Sequence, residues 1–171
     1  MNPFFFAIVA LSWFASTPLL AQVCNPNIPA TTPDERYHDN HDGSVTDKKT
    51  GLEWSRCSVG QTWETNNCVG DAQPLLWSIA SLVATTTENQ ADKNKWRLPE
   101  LKELSELVEL QCAQPAINLT IFPGTPAAAY WTITRFANKD GSFWQVQFIL
   151  GETIPERGDY AALVRLVRDP K

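Results

Sequence analysis

The residues best suited to chemistry lie in one short segment, residues 38–43, which reads HDNHDG. Histidine nitrogens and carboxylate oxygens are metal ligands, and a turn that contains glycine can gather them around a cation. An EF-hand loop has oxygen ligands at alternate positions and a glutamate at the last ligand position, where this chain has Lys49. The segment is therefore expected to be a solvated hairpin turn, and we predict no metal site and no cofactor.

Side chains for acid, base or nucleophilic catalysis do not form a recognisable motif. Neither histidine lies in the sequence context of a nucleophile elbow. Four glutamates between Glu100 and Glu109 recur every three residues, which is typical of a drifting, solvated helical face. Arg97 is expected to bridge loop carbonyls or a carboxylate such as Glu103. We predict no catalytic residue and no enzyme, with an active site assembled from dispersed residues as the alternative.

Four cysteines, Cys24, Cys57, Cys68 and Cys112, are spaced unlike the CxxC pairs of a structural zinc site. Three disulfide pairings are possible. A bond between Cys57 and Cys68 closes the shortest loop and is geometrically the easiest, which leaves Cys24 with Cys112. The second bond would attach the N-terminal arm to the end of a helix.

The N-terminal residues indicate export. No charged side chain occurs from residue 3 to residue 22, and residues 4–11 are continuously apolar. The run is interrupted by serine and proline before it reaches the roughly 20 apolar residues of a membrane span. We expect residues 1–21 to be a signal peptide, with an uncleaved anchor as the alternative. The mature chain would then be periplasmic, secreted or on the cell surface, with no membrane span, and oxidation of its cysteines fits that location.

Composition limits the kinds of partner. The chain has 43% hydrophobic and 19% charged residues, so it is expected to fold rather than to remain a disordered tail. Its net charge of -5 argues against nucleic acid as a partner, because nucleic-acid binding needs a basic face. The expected partner is a protein or a glycan that the sequence does not identify, and the oligomeric state stays open.

The elements predicted along the chain give an α+β domain. Residues 22–36 contain three prolines and are expected to be an extended arm that precedes a domain over residues 37–171. A β-hairpin is predicted over residues 37–53, with a turn at Asp42-Gly43. Apolar spacing predicts two amphipathic helices, and β-rich runs predict a small antiparallel sheet. The helices span residues 71–85 and 99–111, and the strands span residues 130–134, 143–150 and 163–167.

Several short motifs follow one another along the chain. They include DKKTGLEW at residues 47–54, WRLP at residues 96–99, YWT at residues 130–132 and VRLVR at residues 164–168. Their order resembles the Lcl C-terminal domain family, which is named from a collagen-like bacterial surface adhesin. The resemblance extends from about Cys24 to Arg168. The motif residues carried over are Trp54, Trp96, Arg97, Leu98, Pro99, Trp131, Arg165 and Arg168.

The WRLP segment and the C-terminal Val-Arg strand are also similar to C-type-lectin-like and formylglycine-generating-enzyme-like domains. The resemblance implies a disulfide-stabilised, C-type-lectin-like fold with two helices and a small antiparallel sheet. Two departures limit what else it implies. Residues 114–116 read QPA where the calcium site of lectins has EPN or QPD, and no cysteine follows Cys112 to supply the reactive pair of the enzymes.

These observations favour an exported, non-enzymatic binding or adhesion module that recognises a glycan, a peptide or an envelope protein through its loops. The many tryptophans can serve as platforms for sugars, but most are expected to be core residues. Trp63 and the pair Arg135 and Phe136 are the residues expected in binding loops. A structural subunit of a surface assembly is a further alternative.

Overall fold

The computed structural model describes residues 21–86 and 96–169, so the predicted signal peptide lies outside the described residues except for Ala21. Small antiparallel sheets make up most of the fold and are accompanied by two helices, which gives the α+β class. The helices are α1 (Trp77–Thr86) and α2 (Leu101–Ser105). The strands are β1 (Val23–Cys24), β2 (Tyr37–Asp39), β3 (Ser44–Asp47), β4 (Glu53–Ser55), β5 (Thr62–Glu64), β6 (Asn67–Val69), β7 (Leu75–Leu76), β8 (Cys112–Ala113), β9 (Ala129–Arg135), β10 (Ser142–Gln147), β11 (Glu152–Arg157), β12 (Ala161–Ala162) and β13 (Val167–Arg168).

The predicted hairpin is confirmed and belongs to a four-stranded sheet with the order β13-β4-β3-β2. Its first turn places His41 and Gly43 at positive φ, which glycine adopts at little cost. In the second turn, the backbone N–H of Gly51 donates to the carbonyl of Asp47, and the Asp47 carboxylate accepts two hydrogen bonds from Arg36. Local turn chemistry therefore sets the register of this sheet.

A three-stranded sheet, with the order β11-β10-β9, separates two hydrophobic clusters. Tyr130 pairs with Val146 on the face that packs into the larger cluster. Trp131, one residue along β9, points to the opposite face and packs with Phe143 in the second cluster. Both faces of the sheet are thus covered at its centre, which explains why residues 130–132 of β9 and most of β10 are buried.

The first helix begins later than predicted and presents a different face to the core. Leu75 and Leu76 form β7, which pairs with β12, so the helix starts at Trp77 instead of residue 71. The Trp77 indole donates to the carbonyl of Thr132 and stacks on Phe143 with ring centroids 3.5 Å apart. This contact determines which face of the helix packs against the core. The apolar face predicted from the sequence is wrong, because three of its residues are exposed. These are Leu76, Ile79 and Leu82.

The second helix is shorter than predicted, ending at Ser105 instead of continuing to residue 111. Beyond it, Val108 forms an isolated bridge with Ile117, and the backbone N–H of Glu109 donates to the carbonyl of Ala116. These backbone contacts with the following loop take the place of the hydrogen bonds that a longer helix would make. The prediction that the four glutamates are solvated is wrong for Glu109, which is 3% exposed.

Candidate functional site

The motif residues of the sequence hold the interior together. Trp54 and Trp131 are fully buried, and the Trp131 indole donates to the carbonyl of Leu75. Arg168 pairs with Glu53 and lies over the Trp96 ring at 4.6 Å. Leu98 and Pro99, which precede α2, are buried as well.

Arg97 makes the carboxylate contact that the sequence predicted. Its guanidinium donates two hydrogen bonds to Glu103, at 2.7 and 2.8 Å, and a third to Asp169. The hydrogen bonds to Glu103 raise the pKa of Arg97 above its ordinary value. Glu103 also accepts from the backbone N–H of Glu100, so the pair fixes the start of α2. The guanidinium of Arg97 is therefore engaged in structural hydrogen bonds.

Arg165 is the most deeply buried charged residue described, with no exposed surface. Its guanidinium donates to the carbonyls of Ser55 and Arg56 and to the hydroxyl of Thr125, and it lies 4.8 Å from the centre of the Phe122 ring. No carboxylate pairs with it in the part of the chain that the structure describes. Desolvation lowers the pKa of Arg165.

The three residues expected in binding loops lie in two separate places. Trp63 is half-buried in β5, where the Arg56 guanidinium covers its ring at 4.2 Å and Gly43 packs against its side chain. Arg135 is exposed at the end of β9, and the half-exposed ring of Phe136 packs edge-to-face on Trp144. Trp63 and Arg135 therefore lie in strands, each two residues before a turn, and Phe136 adjoins the turn after β9.

The histidine-rich segment is a turn. Asp39 accepts from the backbone N–H of His41 and from Arg56, and Asp42 accepts from the backbone N–H of Ser44. The His41 side chain is exposed. Within residues 21–86 and 96–169, no group of three or more histidine, cysteine, aspartate or glutamate side chains is placed to hold a metal ion.

Two disulfides are present, and they are the pairs that the short-loop argument favoured. Cys57 and Cys68 are buried and join the ends of a loop that contains β5. Cys24 and Cys112 join β1 to β8, and Cys24 is exposed. The second disulfide attaches the arm, residues 22–36, to the segment that follows α2.

Polar contacts hold the arm along the rest of its length. The Gln22 side chain donates to the carbonyls of Pro115 and Ile117, at 2.7 Å each. Glu109 accepts hydrogen bonds from the backbone N–H and the hydroxyl of both Thr31 and Thr32. The Asn118 amide donates to the carbonyl of Thr32 and to Asp34. These contacts could not be predicted from the sequence, because each joins residues at least 77 positions apart.

Glu109 is held in its ionised form. Burial by itself raises the pKa of Glu109, but hydrogen bonds donated by Thr31, Gln111 and Thr32 outweigh burial and keep the pKa below its ordinary value. All of the donors that the structure places on this carboxylate are neutral. Glu109 is thus a buried negative charge beside the arm.

We expect Glu109 to make the protein less stable in acid. A carboxyl with a depressed folded-state pKa contributes stability above its unfolded pKa of about 4.3, and that stability is lost as the pH falls further. Glu109→Gln should lower the free energy of unfolding by about 1–3 kcal/mol at pH 7 and flatten its fall between about pH 5 and about pH 3. Urea unfolding across that range tests this, with Glu152→Gln on the exposed strand β11 as the control. Equal acid profiles for the two variants would contradict the assignment.

The largest described cavity lies beside the arm and has a volume of about 670 Å³. We call it the arm groove. One wall is the start of the arm, a second is the disulfide loop with Cys68 and Gly70, and a third is the loop that contains Gly124 and Thr125. The remaining lining residues are Ala21, Gln22, Gln61, Asp71, Ala72, Gln114, Pro115, Leu119, Pro126 and Ala127.

The walls of the arm groove are fixed to one another by hydrogen bonds and close packing. The Gln61 side chain donates to the carbonyl of Gly124, which bridges two walls at 3.0 Å. Gly124 has positive φ, and a Cβ at this position would lie 3.0 Å from the carbonyl oxygen of Cys68. The hydroxyl of Thr125 accepts from Arg165 and donates to the carbonyl of Phe122. The groove is therefore pre-formed, as small-ligand sites usually are.

The lining of the arm groove has few polar side chains. It is mainly aliphatic, with three side-chain amides and the hydroxyl of Thr125, and Asp71 is its one ionisable side chain. The lining also has no aromatic ring, the usual platform for a sugar face.

Comparisons with known proteins give one match. A family model described as the Lcl C-terminal domain matches residues 43–168, about three quarters of the chain. No curated protein and no solved structure matches. Neither of the two described helices has the length and apolar character that crossing a membrane requires. The match begins after the arm, so the arm lies outside the matched residues, whereas the residues that hold it, between Glu109 and Asn118, lie inside them.

Proposed function

The chain belongs to the Lcl C-terminal domain family, and from that premise we propose that it is an exported, non-enzymatic binding module on a C-type-lectin-like scaffold, which holds a peptide segment of an envelope or surface protein in the arm groove. The two disulfides are consistent with a periplasmic or extracellular location. The observation that carries the proposal is a pre-formed, mainly aliphatic cavity in which three amide side chains, the Thr125 hydroxyl and a single carboxylate are the polar groups.

A peptide fits this lining better than a sugar does. Extended peptides present alternating side chains and backbone amides, which match a cavity lined by small aliphatic side chains and side-chain amides. A glycan is the second candidate, and it is favoured at a different place. Phe136 and Trp144 are both half-exposed aromatic residues next to a turn, and Arg135 beside them is exposed.

Filling the arm groove tests the proposal. Ala127 lines the groove and Ala137 lies in the turn after β9, and both are exposed residues outside helices. A displayed random peptide library and a glycan panel are each exposed to the purified mature protein. We expect the selected peptides to lose binding to Ala127→Trp and to keep it for Ala137→Trp. The fold of each variant is checked by urea unfolding.

Two results would overturn the peptide proposal. One is a library from which no peptide is enriched, and the other is a set of peptides that bind Ala127→Trp and wild type equally. Glycan binding that is lost in Phe136→Ala and kept in Ala127→Trp would show instead that the protein binds glycans at Phe136 and Trp144.

A further inference from the structure

The two disulfides differ in how easily a dissolved thiol can reach them. Cys57 and Cys68 are 7% and 6% exposed, and the loop at Gly124 packs against Cys68. Cys24, by contrast, is exposed, and Cys112 is half-buried. A thiolate must reach a sulfur atom before it can attack a disulfide, so exposure determines which bond reacts. The accessible bond is therefore the one that attaches the arm.

A cavity of about 370 Å³ lies beside this bond. Cys24 and Cys112 both line it, and its volume is in the range of cavities that hold small molecules. Asp34 and Glu109 line the same cavity. A small, uncharged dithiol such as dithiothreitol is therefore the suitable probe for this bond.

The arm has other bonds to the domain, so the disulfide can open while the protein stays folded. The backbone N–H of Asn25 donates to the carbonyl of Gln111 at 2.8 Å, and the Gln111 side chain donates to the carbonyl of Ile28. Further along the arm, Thr32 donates two hydrogen bonds to Glu109. These contacts are independent of the sulfur atoms and remain when the bond is open.

The opened bond is also placed to close again. Cys24 and Cys112 are direct partners in the β1–β8 pair, with Cα atoms 4.0 Å apart. The hydrogen bonds of the arm keep the two thiols opposite each other, so re-formation of the bond is an intramolecular step. The high effective concentration of one thiol at the other favours reversible opening over permanent release.

We propose that Cys24–Cys112 is a reversible thiol–disulfide exchange site, which a dithiol opens in the folded protein so that the start of the arm is released from β8. The thiolate of the dithiol attacks the exposed sulfur of Cys24, the S–S bond breaks, and Cys112 leaves as a thiolate that takes up a proton. The second thiol of the reductant then displaces Cys24 from the mixed disulfide. Two electrons and two protons pass to the protein, and the dithiol becomes a disulfide.

Opening the bond affects the arm groove through Gln22, and this part of the inference rests on the proposed function. Gln22 lies two residues before Cys24 and lines both the groove and the cavity beside the disulfide. In the reduced protein, Gln22 keeps its hydrogen bonds to Pro115 and Ile117 but loses the covalent attachment next to it. A looser wall must be ordered when a peptide binds, and this ordering lowers the affinity. The oxidised protein is thus the form that binds the peptide more tightly.

Differential alkylation of the oxidised mature protein tests the exchange site. The folded protein is treated with dithiothreitol, its free thiols are alkylated, and mass spectrometry identifies the labelled cysteines. We expect Cys24 and Cys112 to be labelled at least about tenfold faster than Cys57 and Cys68, and the difference to disappear in urea. Equal labelling rates for the two pairs in the folded protein would overturn the proposal.

Hydrogen exchange shows whether the opened protein stays folded. In the reduced wild type, amide exchange should become faster at residues 22–25 and stay unchanged in β9 and β10. Faster exchange throughout the domain would overturn the proposal, because the bond would then open only with unfolding. The double variant Cys24→Ala/Cys112→Ala is the matched control, since it keeps Cys57–Cys68. If dithiothreitol changed its exchange as much as that of the wild type, the effect would belong to the other disulfide.

Peptide binding tests the connection to the arm groove. A peptide that loses binding to Ala127→Trp should bind the reduced wild type about two- to fivefold more weakly than the oxidised wild type. Its affinity for Cys24→Ala/Cys112→Ala should be the same with and without dithiothreitol. Equal affinities for the oxidised and reduced wild type would overturn the connection to the groove. A library without any groove-dependent peptide would overturn the proposed function, whereas alkylation and hydrogen exchange would still decide whether the exchange site exists.

Discussion

Replacing Arg165 with methionine is expected to lower the free energy of unfolding by about 3 kcal/mol. Methionine fills a similar volume but provides no donor, so the buried carbonyls of Ser55 and Arg56 and the hydroxyl of Thr125 each lose a hydrogen bond. Each such loss costs about 1–3 kcal/mol when the group stays buried. The methionine variant no longer buries a guanidinium without a carboxylate partner, and this gain offsets part of the cost. The expected loss in the free energy of unfolding is therefore not larger.

Urea unfolding of Arg165→Met, compared with wild type and with Arg135→Ala, checks this. Arg135 is exposed, and its guanidinium lies 5.7 Å from the centre of the Phe143 ring, so its loss should change stability by less than about 0.5 kcal/mol. For Arg165→Met, the urea concentration at the unfolding midpoint should fall, with little change in the slope of the transition. Arg165→Lys restores the charge without the planar fork and should recover only part of the loss. Equal midpoints for Arg165→Met and Arg135→Ala would show that the buried guanidinium is dispensable.

Arg165 also connects the interior to the arm groove. Its hydrogen bond to the Thr125 hydroxyl holds a residue of the groove wall, and the same guanidinium holds the backbone just before Cys57. The segments that carry these contacts are separated by long stretches of chain, so one buried side chain fixes the distance between them. The stability of the core and the shape of the groove thus depend on the same residue.

Features that depend on local chemistry could be predicted from the sequence. The hairpin of β2 and β3 follows from Asp42-Gly43, whose glycine adopts positive φ. The contact between Arg97 and Glu103 joins residues six positions apart at the start of a helix. The disulfide between Cys57 and Cys68 closes a loop with a sequence separation of 11. In each case the interacting groups are close along the chain, so few alternatives compete.

The predictions failed where distant contacts override the local pattern. The apolar spacing of α1 is genuine, but the stack of Trp77 on Phe143 and the strand pair of Leu75 with Ala162 determine which face is buried. For α2, the backbone N–H of Glu109 donates to the carbonyl of Ala116, which lies beyond the predicted helix, so the helix does not continue. Periodicity reports an amphipathic segment and does not report which neighbour covers it.

The arm groove had no sequence signal at all. Its walls come from the first residues of the arm, from the disulfide loop, and from the loops around residues 114 and 124. Gln61 belongs to a segment of the family resemblance, GQTW at residues 60–63, but that resemblance implied no role for it, and amides and alanines are common everywhere in the chain. The sequence identified aromatic residues as the binding candidates, because aromatic rings are conspicuous, whereas a groove is a property of the spaces between segments.

Removing the disulfide between Cys24 and Cys112 is expected to have the largest effect on stability. The bond closes a loop with a sequence separation of 88, and in the chain-entropy model a loop of that length contributes about 4.5 kcal/mol. The bond between Cys57 and Cys68, with a separation of 11, contributes about 3 kcal/mol in the same model. The double variant Cys24→Ala/Cys112→Ala should therefore unfold at lower urea than wild type, and Cys57→Ala/Cys68→Ala is the matched comparison.

Removing each disulfide should loosen a different part of the structure. Without Cys24–Cys112 the arm keeps its bonds through Gln22 and through Glu109, so the domain stays folded while the start of the arm exchanges its amide hydrogens faster. Because Gln22, the first residue of the arm, lines the arm groove, peptide binding should weaken along with this local loosening.

Loss of Cys57–Cys68 removes a buried bond against which Gly124 packs, so faster exchange should extend into the loop around residue 124. Hydrogen exchange followed by mass spectrometry separates these patterns, and the same exchange map for both variants would contradict the assignment of the first disulfide to the arm.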